Sequence, residues 1–290
     1  MQYLLSRLSV KSIEEAIEFV TRSDLEGIRI DDFKAALYEI LRAYGCYTKS
    51  IKKGVPLFRA MKHHAGEQFF ENVKRIYPDP NFLTDLGRAN REKQPIFYLS
   101  GDPVIAFHEI KPKPGDVISL LECRPRDAAS PMLVPIGIDE LMKRHGVRAG
   151  GDFPENSIRI QDLLANDEES LRKYWMIDKF VTTGFLKDVA EGQNHEYKTS
   201  IAIAELLFSY STTVRPIDGL AYPTIAGMWT HANIALSPGA FHRIYRPFAC
   251  QRIMITGLLP ELGFALDPEI GVMANDINSD GTICWPHSAG

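Results

Sequence analysis

The sequence predicts an α+β protein, and three observations indicate this class. Apolar side chains recur at helical spacing in residues 1–54. Six short apolar segments between residues 54 and 257 predict β-strands, and a mostly helical stretch at about 138–210 interrupts them. Because we find no repeat and no clear linker, we expect an N-terminal helical segment (1–54) followed by one catalytic domain (55–290).

The N-terminal segment is predicted to form a helical pair. Ser12 and Glu15 have the spacing of a capping box, with apolar residues at helical positions behind them. A second helix is expected to begin at Asp31 or the next residue, and Gly45 lies where a C-terminal cap belongs. We expect the pair to pack against the catalytic domain; a partner-binding arm is the alternative.

The predicted strands and one short helix carry the unusual residues. The strands cover residues 54–60, 95–100, 117–123, 218–224, 231–236 and 252–257. Arg59 interrupts the first, and burying an unpaired guanidinium is costly, so the alternative places it on the solvent side of an edge strand. Pro103 suits the first turn of a helix that leads to Glu109. Further helices are predicted at 138–145, 168–185 and 200–209.

The composition excludes several functional classes. The chain has 290 residues, 45% hydrophobic and 24% charged, as in ordinary globular proteins. A net charge of −4 and a pI near 6.1 argue against a general nucleic-acid binder. No apolar run suggests a membrane span and no signal peptide is evident, so we expect a cytoplasmic protein, although an effector exported without a leader would look the same. The four cysteines are far apart, which predicts neither a disulfide framework nor a zinc site.

Common catalytic motifs are absent from the sequence. There is no GxGxxG after a strand and no GxxxxGK followed by Ser or Thr, which excludes two familiar phosphate cradles. HExxH and GxSxG are also absent, and the adjacent His63 and His64 cannot share a helix face to bind a metal.

Six other motifs occur in order along residues 55–260. They are Phe58-Arg59, Gly87-Arg88-Ala89-Asn90, Tyr98-Leu99-Ser100, Ala106-Phe107-His108-Glu109, Gly219-Leu220-Ala221-Tyr222-Pro223-Thr224 and Asn233. In order, spacing and predicted secondary structure they resemble the RES domain family, named for its arginine, glutamate and serine. Members show an FR dipeptide, then GRxN, a YxS strand, an AxxE helix, and a late GxxYPS turn followed by an asparagine.

The resemblance implies a relative of the ADP-ribosyltransferases. The implied fold is α+β, with mixed β-sheets around an NAD cleft that lies between two sheets. The family includes bacterial toxins that consume NAD, so NAD is expected as a substrate, and no metal is expected.

The implied roles suit cleavage of the nicotinamide–ribose bond. An oxocarbenium ion develops in this reaction, and the Glu109 carboxylate is the candidate that stabilises it. Arg59 and Arg88 would grip the pyrophosphate or the adjoining ribose, and Tyr98 would offer the nicotinamide an aromatic face. We therefore predict catalytic roles for Glu109, Arg59 and Tyr98, and ligand-binding roles for Arg88, Asn90, Ser100, Thr224 and Asn233.

Simpler interpretations exist for three of these residues. Tyr98 would be a core aromatic residue with its hydroxyl in water, Glu109 an exposed helix residue, and Asn233 a turn cap. Two departures from the family pattern also matter. Thr224 stands where the family has serine, and 115 residues separate it from Glu109. We assign the excess length to a helical insertion at about 140–210 that would shape the pocket or bind a partner.

These observations predict an enzyme that cleaves NAD and releases nicotinamide. Water, phosphate or a protein side chain would accept the ADP-ribosyl group. We favour hydrolysis or phosphorolysis, and we expect a bacterial toxin that arrests growth by depleting NAD. The alternatives are a protein ADP-ribosyltransferase and a catalytically silent relative that binds a nucleotide or a partner. A toxin would need an antitoxin or immunity protein; neither a nucleic acid nor a membrane is an expected partner.

Overall fold

The structure is a computed structural model. It describes residues 1–67, 69–127, 129–139, 153–154, 158–190, 192–213, 216–224, 232–259, 263–266 and 272–286. Eight α-helices and ten β-strands lie within these ranges, which confirms the α+β class. None of the helices in these ranges combines the length and the apolar character that crossing a bilayer requires.

The helices lie mainly at the N-terminus and in the predicted insertion. They are α1 (Gln2–Ser6), α2 (Val10–Arg22), α3 (Ile30–Tyr44), α4 (Pro103–Glu109), α5 (Ile160–Leu163), α6 (Glu168–Leu186), α7 (Lys198–Ser209) and α8 (Pro238–Ile244). The predicted helices at 168–185 and 200–209 correspond to α6 and α7. The helix predicted at 138–145 lies almost entirely outside the described residues.

The strands form one mixed sheet. They are β1 (Lys49–Ser50), β2 (Leu57–Lys62), β3 (Phe97–Ser100), β4 (Val117–Pro125), β5 (Met132–Pro135), β6 (Gly219–Pro223), β7 (Ala232–Leu236), β8 (Tyr245–Leu259), β9 (Gly263–Leu266) and β10 (Val272–Ala274). Their order is β1-β5-β6-β7-β3-β2-β4-β8-β10, with β9 paired to β8. Only the β5–β6 pair is parallel among the described strand pairs.

Two predictions for the N-terminal segment are wrong in detail. The cap of α2 is Ser9, whose hydroxyl accepts from the Ser12 N–H at 2.9 Å, so the helix begins before the predicted Ser12 and Glu15 box. The Ser12 hydroxyl in turn accepts from the Ser9 N–H, which completes a capping box formed by these two residues. Residues 49–50 form β1 rather than helix, because β5 offers them a pairing edge. Gly45 is the C-cap of α3, as predicted.

The sheet is nearly divided at its middle. Strand β2 pairs with β4 along its whole length, but it pairs with β3 only at Phe58 and Ser100. The two sheets that the resemblance implies are therefore joined into one, through a single residue pair. Ser100 is the last residue of β3, and no described strand pair joins the other three residues of β3 to β2.

The helices cover one face of the β5–β6–β7 half of the sheet. Leu220 and Tyr222 of β6 belong to the same hydrophobic core as α2, α3, α6 and α7, whereas Ala221 faces a second core that contains Phe241 of α8. This alternation is the two-residue period of a strand that is buried on both faces. The N-terminal helices and the insertion thus share one core, which fixes α6 and α7 beside the junction of β2 and β3.

Candidate functional site

A cavity of about 520 Å³ lies at the junction of β2 and β3. We call it the central cavity. Its size falls in the range of small-molecule sites. The predicted site residues that line it are Arg59, Arg88, Tyr98, Glu109 and Asn233. A smaller space of about 60 Å³ shares most of these residues and adds Ser100. Side chains that are up to 174 residues apart in the sequence thus meet at one place.

Helix α4 brings Glu109 to the cavity. The Asp102 carboxylate caps the helix by accepting from the N–H groups of Val104 and Ile105 at 2.7 and 3.3 Å, and Pro103 fills the first turn. The helix ends at Glu109, which is exposed, as the simpler interpretation expects, and which also lines the central cavity. The cap and the proline set where the helix starts, and its length then sets where the carboxylate lies.

Two neutral side chains hold the Glu109 carboxylate. The Asn233 amide donates from Nδ2 to Oε1 at 2.6 Å, and the Thr224 hydroxyl lies 3.5 Å from the same oxygen. The first is a short, charge-assisted hydrogen bond, whereas the second is at the limit of hydrogen-bond length. Because both partners are neutral, they orient the carboxylate without cancelling its charge.

Asn233 also presents an unused acceptor. Its side chain is 3% exposed, and its Oδ1 atom has no hydrogen-bond partner among the described residues. A buried acceptor without a partner costs about 1–3 kcal/mol. Such a group in a native structure needs an explanation, and one explanation is a ligand that donates to it. Asn233 lines the central cavity, but Oδ1 itself is closed to it, so a ligand could donate to this atom only after neighbouring side chains moved.

Arg59 joins the two halves of the sheet. Its Nε donates to the Ile76 carbonyl at 2.7 Å and its Nη1 to the Tyr98 carbonyl at 3.1 Å. These are the bonds of Arg59 to the described residues, and they use two of the five guanidinium N–H groups, which leaves three for a ligand in this part of the structure. Burial lowers the pKa of Arg59 to about 10, which still leaves it charged at neutral pH. Strand β2 lies between β3 and β4, so the alternative of Arg59 on an edge strand is wrong.

Tyr98 holds the Gly-Arg-x-Asn turn in place. Its hydroxyl accepts from the Ala89 N–H at 2.7 Å and donates to the Asn90 Oδ1 at 2.8 Å. Gly87 closes the turn, and a Cβ there would overlap Asn90 Oδ1, so this position requires glycine. Burial raises the pKa of Tyr98, which keeps the hydroxyl protonated. The hydroxyl is therefore committed to the turn and not free in water, while the side chain also lines the cavity.

The helical insertion forms one wall of the central cavity. Leu186 and Asp188, at the end of α6, line the cavity together with Tyr197, which directly precedes α7. Arg88 reaches this wall, where its Nη1 donates to the Lys187 carbonyl at 3.2 Å and its guanidinium carbon lies 5.8 Å from the centre of the Tyr197 ring. The insertion therefore has one of the two roles that the sequence suggested, that of shaping the pocket.

The remaining predicted residues lie behind the cavity surface. Asn90 and Thr224 are buried and do not line either space, but each contacts a residue that does. Ser100 is buried beside the smaller space and lies opposite Asn233 in the β3–β7 pairing. Among the described residues, no group of three His, Cys, Asp or Glu side chains is arranged to hold a metal ion.

Tyr222 is a cavity residue that the sequence prediction left out. It lines both spaces and is paired with Asn233 between β6 and β7. Burial, and then the negative charge of Glu109, raise its pKa well above the usual value, so its hydroxyl stays protonated. The sequence does contain a signal for this residue, because Tyr222 is the tyrosine of the Tyr-Pro-Thr motif.

Comparisons with protein-family models, with curated proteins and with solved structures found no match for this chain.

Proposed function

We propose that this chain is an enzyme that consumes NAD by cleaving the bond between nicotinamide and ribose. The observation that carries the proposal is the convergence of Glu109, Asn233 and Arg59 on one cavity of about 520 Å³. It combines an oriented carboxylate with a cation, Arg59, that donates only two of its five N–H groups to the described residues.

The carboxylate supplies what the bond cleavage requires. As nicotinamide leaves, positive charge develops on the ribose, and a fixed negative charge nearby lowers the barrier because it needs no reorientation. Glu109 is that charge, and the hydrogen bond from Asn233 at 2.6 Å fixes one of its oxygens. A ribose hydroxyl that donates to the exposed Glu109 carboxylate would hold the sugar beside this charge.

The two arginines provide the anchor for the phosphates. Arg59 retains three N–H groups for a pyrophosphate oxygen, and Arg88 lies on the insertion wall of the same cavity. The ring of Tyr98 offers a surface for the nicotinamide, although its hydroxyl is occupied elsewhere. Remote binding energy of this kind holds the reacting bond against the carboxylate.

Water or phosphate is the acceptor that we favour. Either would give free nicotinamide and a soluble ADP-ribosyl product, and a cell that made the active chain would lose NAD and stop growing. A neutralising protein that covered the central cavity would prevent this. Transfer to a protein side chain would instead leave a modified macromolecule.

The test is nicotinamide release by the purified chain incubated with NAD, with and without phosphate and with cell lysate. Chromatography follows nicotinamide, and mass spectrometry distinguishes ADP-ribose, phosphorylated ADP-ribose and modified protein. Glu109→Gln keeps the shape of the side chain but removes its charge, and we expect a loss of about 100-fold or more in kcat. Glu14→Gln, at an exposed position of α2, is the control and should match wild type. Absence of release under every condition, or full turnover by Glu109→Gln, would refute the proposal.

A further inference from the structure

A second cavity of about 480 Å³ adjoins the central cavity. Arg59 and Met61 line both cavities. These two residues are two positions apart on β2, so their side chains point to the same face of the sheet. The two cavities therefore share a wall that includes Arg59 and Met61.

The second cavity has an apolar surface suited to a flat ring. Tyr77, Phe82 and Leu83 line it together with Met61. The Tyr77 ring is held by edge contacts with Phe97 and Phe241, at centroid distances of 5.0 and 5.5 Å. Phe82 is 81% exposed. A fixed aromatic ring and an exposed one beside a cavity of this size are typical of ligand contacts.

The charges of the second cavity suit a nucleotide. Arg75 is paired with Glu67 through two hydrogen bonds of 2.8 and 3.2 Å, which leaves Arg59 and Lys74 as the cations available to phosphate. Asp79 also lines the cavity and supplies a carboxylate, the group that commonly accepts hydrogen bonds from ribose hydroxyls.

We propose that the second cavity binds the adenylate half of NAD. The purine lies against Tyr77 and Phe82, Lys74 and Arg59 meet the phosphates, and the chain of the dinucleotide passes Arg59 into the central cavity. The nicotinamide ribose then lies at Glu109. This inference rests on the proposed function, since it assigns the other half of the same substrate.

Binding of AMP tests the inference without any need for turnover. Titration calorimetry with AMP should detect binding to wild type. Stacking of a base on an aromatic side chain is worth about 5- to 150-fold in affinity, so Phe82→Ala should weaken AMP binding by at least about fivefold. Lys74→Ala should weaken it as well. Lys53→Ala, at an exposed turn outside both cavities, is the matched control and should bind as wild type does.

Kinetics with NAD provide the second arm. Phe82→Ala should raise KM for NAD by a larger factor than it lowers kcat, because Phe82 contacts the half of the substrate that does not react. AMP should inhibit nicotinamide release competitively against NAD. Undetectable AMP binding, equal AMP affinity in Phe82→Ala and wild type, or inhibition that is not competitive would overturn the inference. Phe82-dependent AMP binding without any NAD cleavage would refute the proposed function but retain a nucleotide site here.

Discussion

The variant Asn233→Ala separates the function of the site from its stability. Asn233 makes one strong hydrogen bond, from Nδ2 to Glu109 Oε1 at 2.6 Å, and carries one buried acceptor without a partner among the described residues. The substitution removes both features at once. Its effect on folding and its effect on catalysis should therefore differ in size.

The two stability terms nearly cancel. Loss of a hydrogen bond to a charged group costs about 1.5–3 kcal/mol, and loss of an unpaired buried acceptor returns about 1–3 kcal/mol. Glu109 also keeps its contact with solvent, so water can replace the lost donor. We expect the free energy of unfolding to change by about 1 kcal/mol or less.

Catalysis has no such compensation. Without Nδ2 the Glu109 carboxylate keeps, among the described residues, the Thr224 hydroxyl at 3.5 Å, a contact at the limit of hydrogen-bond length that holds it only weakly. A displacement of about 1 Å in a reacting group costs on the order of 100-fold, so we expect kcat to fall by about 10- to 100-fold.

Urea unfolding and nicotinamide release measure the two effects on the same preparation. Asn166→Ala, at an exposed position, is the control and should change neither. A drop of more than about 3 kcal/mol in unfolding free energy would mean that Asn233 is a structural residue with both polar groups satisfied. Unchanged kcat would mean that its bond to Glu109 has no part in the reaction.

Four further substitutions test contacts of Thr224, Tyr98 and Glu205. Thr224→Ser keeps the hydroxyl and removes the methyl, so kcat should equal or exceed wild type, whereas Thr224→Val should lower it in the same assay. Tyr98→Phe keeps the ring but leaves the Ala89 N–H without its acceptor, and urea unfolding should show a loss of about 1–3 kcal/mol. Burial opposes ionisation of Glu205, but hydrogen bonds led by Arg91 outweigh it and lower the pKa of this carboxyl. The stabilisation from this lowered pKa is complete above the unfolded pKa of about 4.3 and is lost as pH falls through the lower folded pKa. Glu205→Gln should therefore flatten the decline in unfolding free energy below about pH 4. A decline as steep as that of wild type would contradict this assignment.

The local elements near the site could be predicted because their signals are short-range. Pro103 and the helix it begins, the strand that ends at Ser100 and the cap at Gly45 each depend on residues a few positions apart. The start of α2 was misassigned because Ser9 and Ser12 offer competing caps, and the Ser9–Ser12 pair satisfies both backbone N–H groups reciprocally.

The long-range features could not be predicted in the same way. Strand β1 exists because β5 supplies an edge, and Lys49 and Ser50 carry no strand signal of their own. The contact of Tyr197 with the central cavity depends on how the insertion packs on the shared core, and no local pattern encodes that distance. The sequence predicts a role for the Tyr98 ring. The hydrogen bond between its hydroxyl and the Ala89 N–H depends on where the turn at Ala89 lies in the fold, which no local pattern shows.

The sheet junction explains why structural and functional demands fall on the same residue. Fully paired strands leave no space between them, so a ligand cavity at the middle of a sheet requires that some backbone pairing be given up. Here β2 and β3 retain one residue pair, and the Arg59 side chain of β2 bonds to the Tyr98 carbonyl of β3 and to the Ile76 carbonyl in the segment after β2. Replacement by lysine would supply a charge but not the planar fork that makes these two bonds and still faces the cavity. The arginine therefore closes the gap in the sheet and, with its remaining N–H groups, keeps that gap suited to an anion.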